Sequence, residues 1–230
     1  MSIRLRQIAL VANQLAPVIE DLKAVFGLEV CYIDPGVGVF GLENSLLPVG
    51  NNFIEVVAPI KEGTAGGRYL KRRGGDGGYM VICQCDSHAA QLERRERALS
   101  MGVRIAWERE SGGYHVMQLH PADTGGSFFE IDWDAKGEVE GNWEPAGGSG
   151  WRSAKRTEIV SHTRQSNCSR PIRQGWPSDG AVSRACRLAR TRAGGSRCRS
   201  TMRTSGSSRR RTGAAKACRE STWSLRIAAG

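Results

Sequence analysis

His120-Pro-Ala-Asp-Thr-Gly-Gly-Ser-Phe-Phe-Glu130 is the stretch from which the fold of this 230-residue chain is best predicted. It is typical of a strand end, a tight Gly-Gly turn and a second strand that carries one acid among aromatic residues. A period of two in that strand places Phe128, Glu130 and Asp132 on one face and Ile131 on the other. A carboxylate among aromatic residues requires a partner, so the sequence predicts that Glu130 points at something inside the protein.

The same pattern occurs earlier, in Asn52-Phe-Ile-Glu-Val-Val57, where Glu55 is the lone charge of an apolar run. Each of these strands ends a series of one strand, one helix and three strands. In the first series we predict a strand at 3–12, a helix from Pro17 to Gly27, and strands at 28–33, 37–43 and 52–58. In the second we predict a strand at 79–85, a helix at 87–101, and strands at 103–107, 114–119 and 127–133. Two βαβββ units, residues 1–60 and 78–135, with acids 75 residues apart, indicate an internal duplication.

The first strands of the two units can be aligned as well. Placing Gln7-Ile-Ala-Leu-Val-Ala-Asn13 on Met80-Val-Ile-Cys-Gln-Cys-Asp86 makes Gln7 the equivalent of Met80. The residues expected to face a shared interior are therefore Gln7, Glu55, Met80 and Glu130. Two carboxylates and an amide in one cavity need a cation, a shared proton or a hydrogen-bonding ligand.

This arrangement resembles the vicinal oxygen chelate superfamily, which includes glyoxalases, bleomycin-resistance proteins and ring-cleaving dioxygenases. Within it, the segments 53–59, 68–75 and 120–130 are most similar to the methylmalonyl-CoA epimerase family. The resemblance spans about residues 3 to 135. It implies an α+β fold in which two βαβββ units form a glyoxalase-like cup that holds a divalent metal.

The resemblance also implies which residues act in the cup. Gln7, Glu55 and Glu130 match metal-ligand positions for Mn, Co, Mg, Zn or Fe, and Glu55 and Glu130 are the expected catalytic residues. Met80 stands at the fourth position, where the family has histidine. A thioether is a soft ligand that suits such a cation poorly among oxygen donors.

A basic connector and one histidine are candidate substrate contacts. Arg68, Lys71, Arg72 and Arg73 suit a phosphate or a CoA tail near the cup mouth, although an exposed loop of this kind is also commonly only solvated. His120 suits either a substrate contact or the stabilisation of its turn.

The other histidines and the cysteines are not assigned to the cup. His88 starts a helix and is predicted to lie at the surface, and His115 has the opposite strand parity from His120. Cys83 and Cys85 lie in an apolar strand without a zinc-like partner pair, so we expect buried free thiols. The sequence has no long apolar run and no signal-peptide pattern, so we expect a cytoplasmic protein without a membrane segment.

The charge is distributed unevenly. Residues 1–150 carry a net charge of −6, from 14 basic and 20 acidic residues, whereas residues 151–230 carry +16, from 19 basic and 3 acidic residues. Residues 161–230 contain no Phe or Tyr and show no helical or strand period, so we predict a linker at 136–160 and a disordered tail. Two origins fit this tail: an Arg-rich arm that binds nucleic acid, or a GC-rich gene translated out of frame after a base slip near residues 161–164.

Three functions remain open on these observations. The leading prediction is a glyoxalase-like enzyme of isomerase, epimerase, lyase or dioxygenase type acting on a small molecule, with a homodimer as a further expectation. The second is a non-catalytic protein that sequesters a ligand in the same cup, as bleomycin-resistance proteins do. The third, nucleic-acid binding through the basic tail, is ranked last because an out-of-frame tail would say nothing about partners.

Overall fold

The computed structural model describes residues 2–169 and 222–229 and places four α-helices and nine β-strands along them. In chain order the elements are β1 (Ile3–Val11), α1 (Leu15–Phe26), β2 (Leu42–Val49), β3 (Asn52–Pro59), α2 (Ala65–Arg73), β4 (Gly77–Cys85), α3 (His88–Ser100), β5 (Ile105–Ser111), β6 (Tyr114–Leu119), α4 (Pro121–Thr124), β7 (Phe128–Asp134), β8 (Val160–Ser169) and β9 (Thr222–Ala229). The first seven strands form one mixed sheet in the order β2-β3-β1-β4-β7-β6-β5.

The register of this sheet repeats between its halves. β1 pairs with β3 in parallel and β4 pairs with β7 in parallel, while β1 and β4 meet antiparallel at the centre. Gln7 stands opposite Phe53 and Met80 stands opposite Phe128, so the two positions are equivalent in their own units. Glu55 and Glu130 each follow two residues later. The predicted α+β fold of two repeated units is confirmed, although the first unit has one regular strand fewer than predicted.

The two faces of the sheet have different coverings. On the outer face, α1 packs on β2 and β3 through an apolar cluster that includes Leu22 and Ile54, and α3 packs on β6 and β7 through one that includes Ala90 and Ile131. The opposite face carries Gln7, Glu55 and Glu130, and we call it the cup face. Because strand side chains alternate, Gln7, Glu55 and Glu130 share the cup face, and α1 and α3 cover the other face.

The long helices match their sequence signals. α1 ends at Gly27, which adopts the left-handed conformation at φ 63° that ends many helices. α3 begins after Ser87, whose hydroxyl accepts a hydrogen bond from the backbone N–H of Ala90 at 3.2 Å. These two predicted helices are confirmed within two residues at each end.

The strand predicted at 28–33 is wrong. This segment contributes only an isolated bridge between Tyr32 and Leu46 of β2, with backbone hydrogen bonds at Tyr32 and Cys31. The segment does not extend along β2 because Pro35, which lacks an N–H and favours a turn, follows two residues after Ile33.

The strand predicted at 37–43 is also wrong. Pro35–Phe40 is a 3-10 helix, capped by the Asp34 carboxylate, which accepts from the N–H of Gly36 at 2.8 Å. The strand itself lies further along, at β2, where Pro48 weakens its sequence signal. β2 is an edge strand, the position at which a sheet tolerates a residue without a backbone donor.

Residues 136–154, which we call the cap segment, pack on the cup face although the sequence predicts a linker there. They contain two 3-10 helices, Glu144–Ala146 and Gly150–Ala154. Trp143 and Trp151 are almost fully buried in the apolar cluster of the cup face. The predicted boundary at residue 135 therefore does not coincide with the end of packing.

Arg6 joins the cap segment to the sheet. It is fully buried at an irregularity in the pairing of β1 with β4. Its guanidinium donates to the carbonyl oxygens of Asn51 and Val139, each at 2.6 Å, and of Glu138 at 3.0 Å. Burial lowers its pKa to about 10.

The Arg6 guanidinium also contacts aromatic rings. It lies within 5.8 Å of the ring centres of Phe53, Trp143 and Trp151. The carbonyls and ring faces together offset the cost of burying the cation.

Most of the predicted tail, residues 170–221, lies outside the described residues. Its two described ends, β8 and β9, pair antiparallel as a separate two-stranded sheet, although the sequence shows no strand period there. The frame-slip hypothesis stays a prediction, and sequencing the gene tests it.

Candidate functional site

The two duplicated acids each accept hydrogen bonds from side-chain amides on the cup face. Gln7 Nε2 donates to Glu55 Oε2 at 2.8 Å, and Asn44 Nδ2 donates to Glu55 Oε1 at 2.6 Å. In the second unit, Gln118 Nε2 donates to Glu130 Oε2 at 2.7 Å. Asn44 lies on the strand next to Glu55, as Gln118 lies on the strand next to Glu130. The support is similar in kind but not in position, because Gln118 stands directly opposite Glu130 whereas Leu46 stands opposite Glu55 and Asn44 opposite Val57.

Burial raises the pKa of both acids. Glu55 is only 6% exposed and Glu130 only 5%. The hydrogen bonds from Asn44 and Gln7 oppose the effect of burial on Glu55, and that from Gln118 opposes it on Glu130. The charge of Glu55 adds to the effect of burial on Glu130, whose pKa is raised from 4.5 to about 7. A carboxyl that titrates near neutral pH is suited to moving protons in either direction.

Asp132 extends the acidic group along β7. It is fully buried, and burial together with the charge of Glu130 raises its pKa well above its ordinary value. The Tyr114 hydroxyl donates to Asp132 Oδ2 at 2.7 Å. Its other oxygen, Oδ1, has no hydrogen-bond partner among the described residues. A buried polar atom without a hydrogen-bond partner lowers the stability of the fold. A ligand that reached the cup face and donated a hydrogen bond to Asp132 Oδ1 would therefore be stabilised.

The raised pKa of Glu130 predicts how stability depends on pH. The pKa of Glu130 is higher in the folded chain than in the unfolded chain, so the folded chain holds this proton more tightly. The resulting contribution to stability is complete below about pH 4.5 and is lost as pH rises through about 7. The difference corresponds to about 3 kcal/mol. We therefore expect Glu130→Gln, which stays neutral, to gain about 3 kcal/mol relative to the wild type between about pH 4 and pH 8.

Urea unfolding at both pH values measures this gain. Glu62→Gln is the matched control, because Glu62 is exposed and its replacement should leave the pH dependence unchanged. A constant difference between Glu130→Gln and the wild type across this range would contradict the raised pKa.

Solved structures match the chain over this domain. One is a methylmalonyl-CoA epimerase in complex with methylmalonyl-CoA and NH4+, at 19% identity and a TM-score of 0.51, with 59% of this chain and 96% of that chain covered. Another is a hypothetical protein from Bacillus halodurans C-125, at 18% identity and a TM-score of 0.51, with 60% and 99% covered. The chain has the vicinal oxygen chelate fold.

A third structure with this fold is a variant of the Streptomyces coelicolor methylmalonyl-CoA epimerase in complex with 2-nitronate-propionyl-CoA. It is 21% identical, has a TM-score of 0.50, and is covered over 97% of its length by 57% of this chain. Searches of protein-family models and of curated proteins give no match. Within the described residues, no helix is long and apolar enough to cross a membrane.

The metal expected from the vicinal oxygen chelate fold does not fit the residues present in the cup. Trp143 Nε1, which can only donate, lies 3.1 Å from Gln7 Oε1. This contact fixes the Gln7 amide with its oxygen toward the indole and its NH₂ toward Glu55. Met80 supplies only a thioether at the fourth position. With Gln7 presenting a donor, the expected ligands Gln7, Glu55 and Glu130 are reduced to two carboxylates.

The basic connector forms α2, at the end of β3. Arg68, Lys71 and Arg72 are exposed, and Arg72 lies over the Tyr69 ring at 5.6 Å. Edge-to-face ring contacts then run from Tyr69 to Tyr79 and from Tyr79 to Phe128 on β7. Arg73 donates to the carbonyl oxygen of Asp76 at 3.1 Å. The exposed part of the connector thus lies at one end of the aromatic row that leads to the cup face.

His120 caps α4. Its Nδ1 accepts from the N–H of Ala122 at 3.2 Å and lies 3.3 Å from Arg104 Nη2. Arg104 in turn forms a salt bridge with Asp123 at 2.8 Å. The structure therefore shows the turn-stabilising role of His120, and its predicted contact with substrate stays a prediction.

A group that the sequence reasoning missed lies on the outer face. His88, Glu110 and His115 place their ligand-type atoms within 4.8 Å of one another. The sequence analysis placed His88 at the start of a helix and His115 on a strand but did not bring the two together. The signal that could have paired them is the packing of the start of α3 against β6 and β7.

Proposed function

We propose that the chain is a small-molecule enzyme that moves a proton at a carbon next to a carbonyl group, as in an isomerase, epimerase or lyase. The observation that carries this proposal is the pair of buried carboxyls on the cup face, Glu55 and Glu130. Burial, with a smaller contribution from the charge of Glu55, raises the pKa of Glu130 to about 7, so near neutral pH Glu130 is only partly ionised. Such a pair offers both a base and an acid.

In the proposed reaction Glu130, when ionised, removes a proton from the substrate carbon, and Glu55, when protonated, returns one. Each acid keeps its orientation through its amide partner, Gln118 or Asn44. Each amide NH₂ has a second hydrogen, which can donate to the oxygen on which negative charge develops. All these steps use groups of the chain itself.

The proposed substrate class is a CoA ester or a related acid. The methylmalonyl-CoA epimerase structures that match the fold hold CoA esters. Arg68, Lys71 and Arg72 would bind the phosphates of the CoA tail, because they are exposed at the start of the aromatic row.

A second candidate is a protein that binds such a ligand without converting it. It is favoured by the closure of the cup face, where the cap segment buries Trp143 and Trp151. A ligand would have to displace part of this packing, which suits slow release better than turnover.

The third function, nucleic-acid binding through the basic tail, concerns mainly residues outside those described and is not proposed. A homodimer stays a prediction, tested by sedimentation.

Exchange in D₂O separates these candidates. The full chain is incubated with methylmalonyl-CoA, and NMR follows deuterium at the carbon next to the thioester. An enzyme of the proposed type incorporates deuterium at one rate with and without EDTA, because the cup residues do not fit a metal. Binding by calorimetry without exchange would favour the sequestering protein, and the absence of both would overturn the CoA-ester proposal.

A further inference from the structure

The outer face carries a cluster of side chains with the composition of a transition-metal site. His88 Nε2 lies 3.2 Å from His115 Nδ1, and 3.8 Å from Glu110 Oε1. Two nitrogen ligands about 2.0 to 2.1 Å from one tetrahedral Zn²⁺ lie about 3.3 to 3.4 Å apart, so the separation of the histidine nitrogens is close to that of two ligands. Glu110 is largely exposed and needs only a small rotation to approach to the same distance.

The cluster has the outer support that metal-binding histidines usually have. His115 Nε2 lies 3.1 Å from Glu108 Oε1. Arg95 holds that carboxylate in place with two donors, at 2.8 and 3.0 Å. A carboxylate behind an imidazole fixes the ring orientation and makes the other nitrogen a better ligand.

These contacts also determine where the imidazole protons lie. Because Glu108 only accepts, neutral His115 carries its proton on Nε2, and its Nδ1 has a free lone pair. The hydrogen bond to His88 then requires that His88 Nε2 carries a proton. A metal ion bound between the rings requires this proton to leave His88 Nε2, and the neutral His88 ring then carries its one proton on Nδ1. Both facing nitrogens would then offer lone pairs without any movement of the backbone.

The surrounding structure holds the cluster rigidly. His88 lies flat on the ring of Trp133, with the ring centres 4.5 Å apart and the planes at 11°. One helical turn later, Gln91 Nε2 donates to the carbonyl oxygens of His115 and Ile131, both at 2.8 Å. The start of α3 is therefore attached to β6 and β7 at the cluster itself.

We propose that His88, Glu110 and His115 bind one transition-metal ion, of which Zn²⁺ is the best match, on the outer face of the sheet. The ligand set of two imidazoles and one carboxylate is one that Zn²⁺ commonly uses, and it leaves a fourth position open to solvent at Glu110. The site is separate from the cup, because His115 points away from Gln118 and Glu130 across the sheet.

Titration of the EDTA-treated full chain, prepared without a polyhistidine tag, with Zn²⁺ tests the site. We expect one Zn²⁺ per chain and a visible Co²⁺ absorption spectrum typical of nitrogen ligands. His88→Ala should weaken binding by a factor on the order of 100, and Glu108→Gln by about 10 to 100. His162→Ala is the matched control, because His162 is an exposed histidine away from the cluster, and it should leave affinity unchanged.

The outcomes decide the proposal even if one variant is unstable. Glu110→Gln changes an exposed side chain, so it should fold and still bind about tenfold more weakly. Wild-type protein without stoichiometric binding, or His88→Ala and Glu110→Gln with wild-type affinity, would overturn the site. Weaker binding in both variants, with His162→Ala and the cup variant Glu130→Gln unaffected, supports it.

Discussion

Replacing Glu130 with glutamine is expected to lower the rate of proton exchange at the substrate carbon by a factor on the order of 100 to 10,000. Glutamine keeps the shape of the side chain and its contact with Gln118 but cannot accept the substrate proton. Substrate affinity should change far less, since the change removes a step of the reaction and few contacts. Rates of deuterium exchange and calorimetric affinities, measured on the same preparations, separate these two effects.

The same variant should be more stable than the wild type at about pH 8, because it removes a buried acid that ionises near neutral pH. Loss of activity with a gain in stability is the signature of a catalytic carboxyl, and unfolding cannot produce it. Glu62→Gln, at an exposed position, should alter neither quantity. An active Glu130→Gln protein would remove Glu130 from the proposed reaction.

Replacing Trp143 with alanine is expected to lower the free energy of unfolding by about 3 to 5 kcal/mol. The indole is fully buried, donates to Gln7 and lies 5.3 Å from the Arg6 guanidinium. Its removal leaves a cavity, an unpaired amide oxygen and a buried cation with one ring fewer. Urea unfolding at constant pH measures the loss.

Two variants show which part of the effect comes from the hydrogen bond. Trp143→Phe keeps most of the volume but loses the N–H, so it should cost about 1 to 3 kcal/mol. Trp107→Ala is the control for a partly buried tryptophan, and it should cost less than Trp143→Ala because Trp107 contacts Phe40 at the edge of the sheet. Equal losses for Trp143→Ala and Trp107→Ala would mean that the cap segment contributes little.

The repeated order of strands and helix, with its matching acids, and the family resemblance together predicted the fold. An acid in an apolar strand is expensive unless the interior provides for it, so two such strands at equal spacing constrain the register strongly. That is why Glu55 and Glu130 were placed correctly and why Gln7 and Met80 were matched. Apolar runs without a charged or polar residue at a repeated position predicted the strands less reliably. The segments at 28–33 and 37–43 were predicted as strands, although the chain turns at Pro35 into a 3-10 helix.

The site could be predicted only in part, because its partners are distant in sequence. Nothing near Gln7 indicates that Trp143 fixes its amide, 136 residues later. Nothing in a strand pattern shows that Asn44 and Gln118 support the acids, since amides occur on many strands. His88 and His115 meet only because α3 packs on the sheet. The residue pattern of each element by itself does not show how the helix packs.

Arg6 has a consequence for the order in which the protein folds during synthesis. Two of its three carbonyl partners, Glu138 and Val139, are made more than 130 residues after it. Until they leave the ribosome, a cation in the central strand lacks most of its acceptors, and the strand is unfavourable in its final place. We therefore expect the first unit alone to be less stable than it is within the whole domain. The domain should reach its final packing only after residues 138 and 139 are available to Arg6.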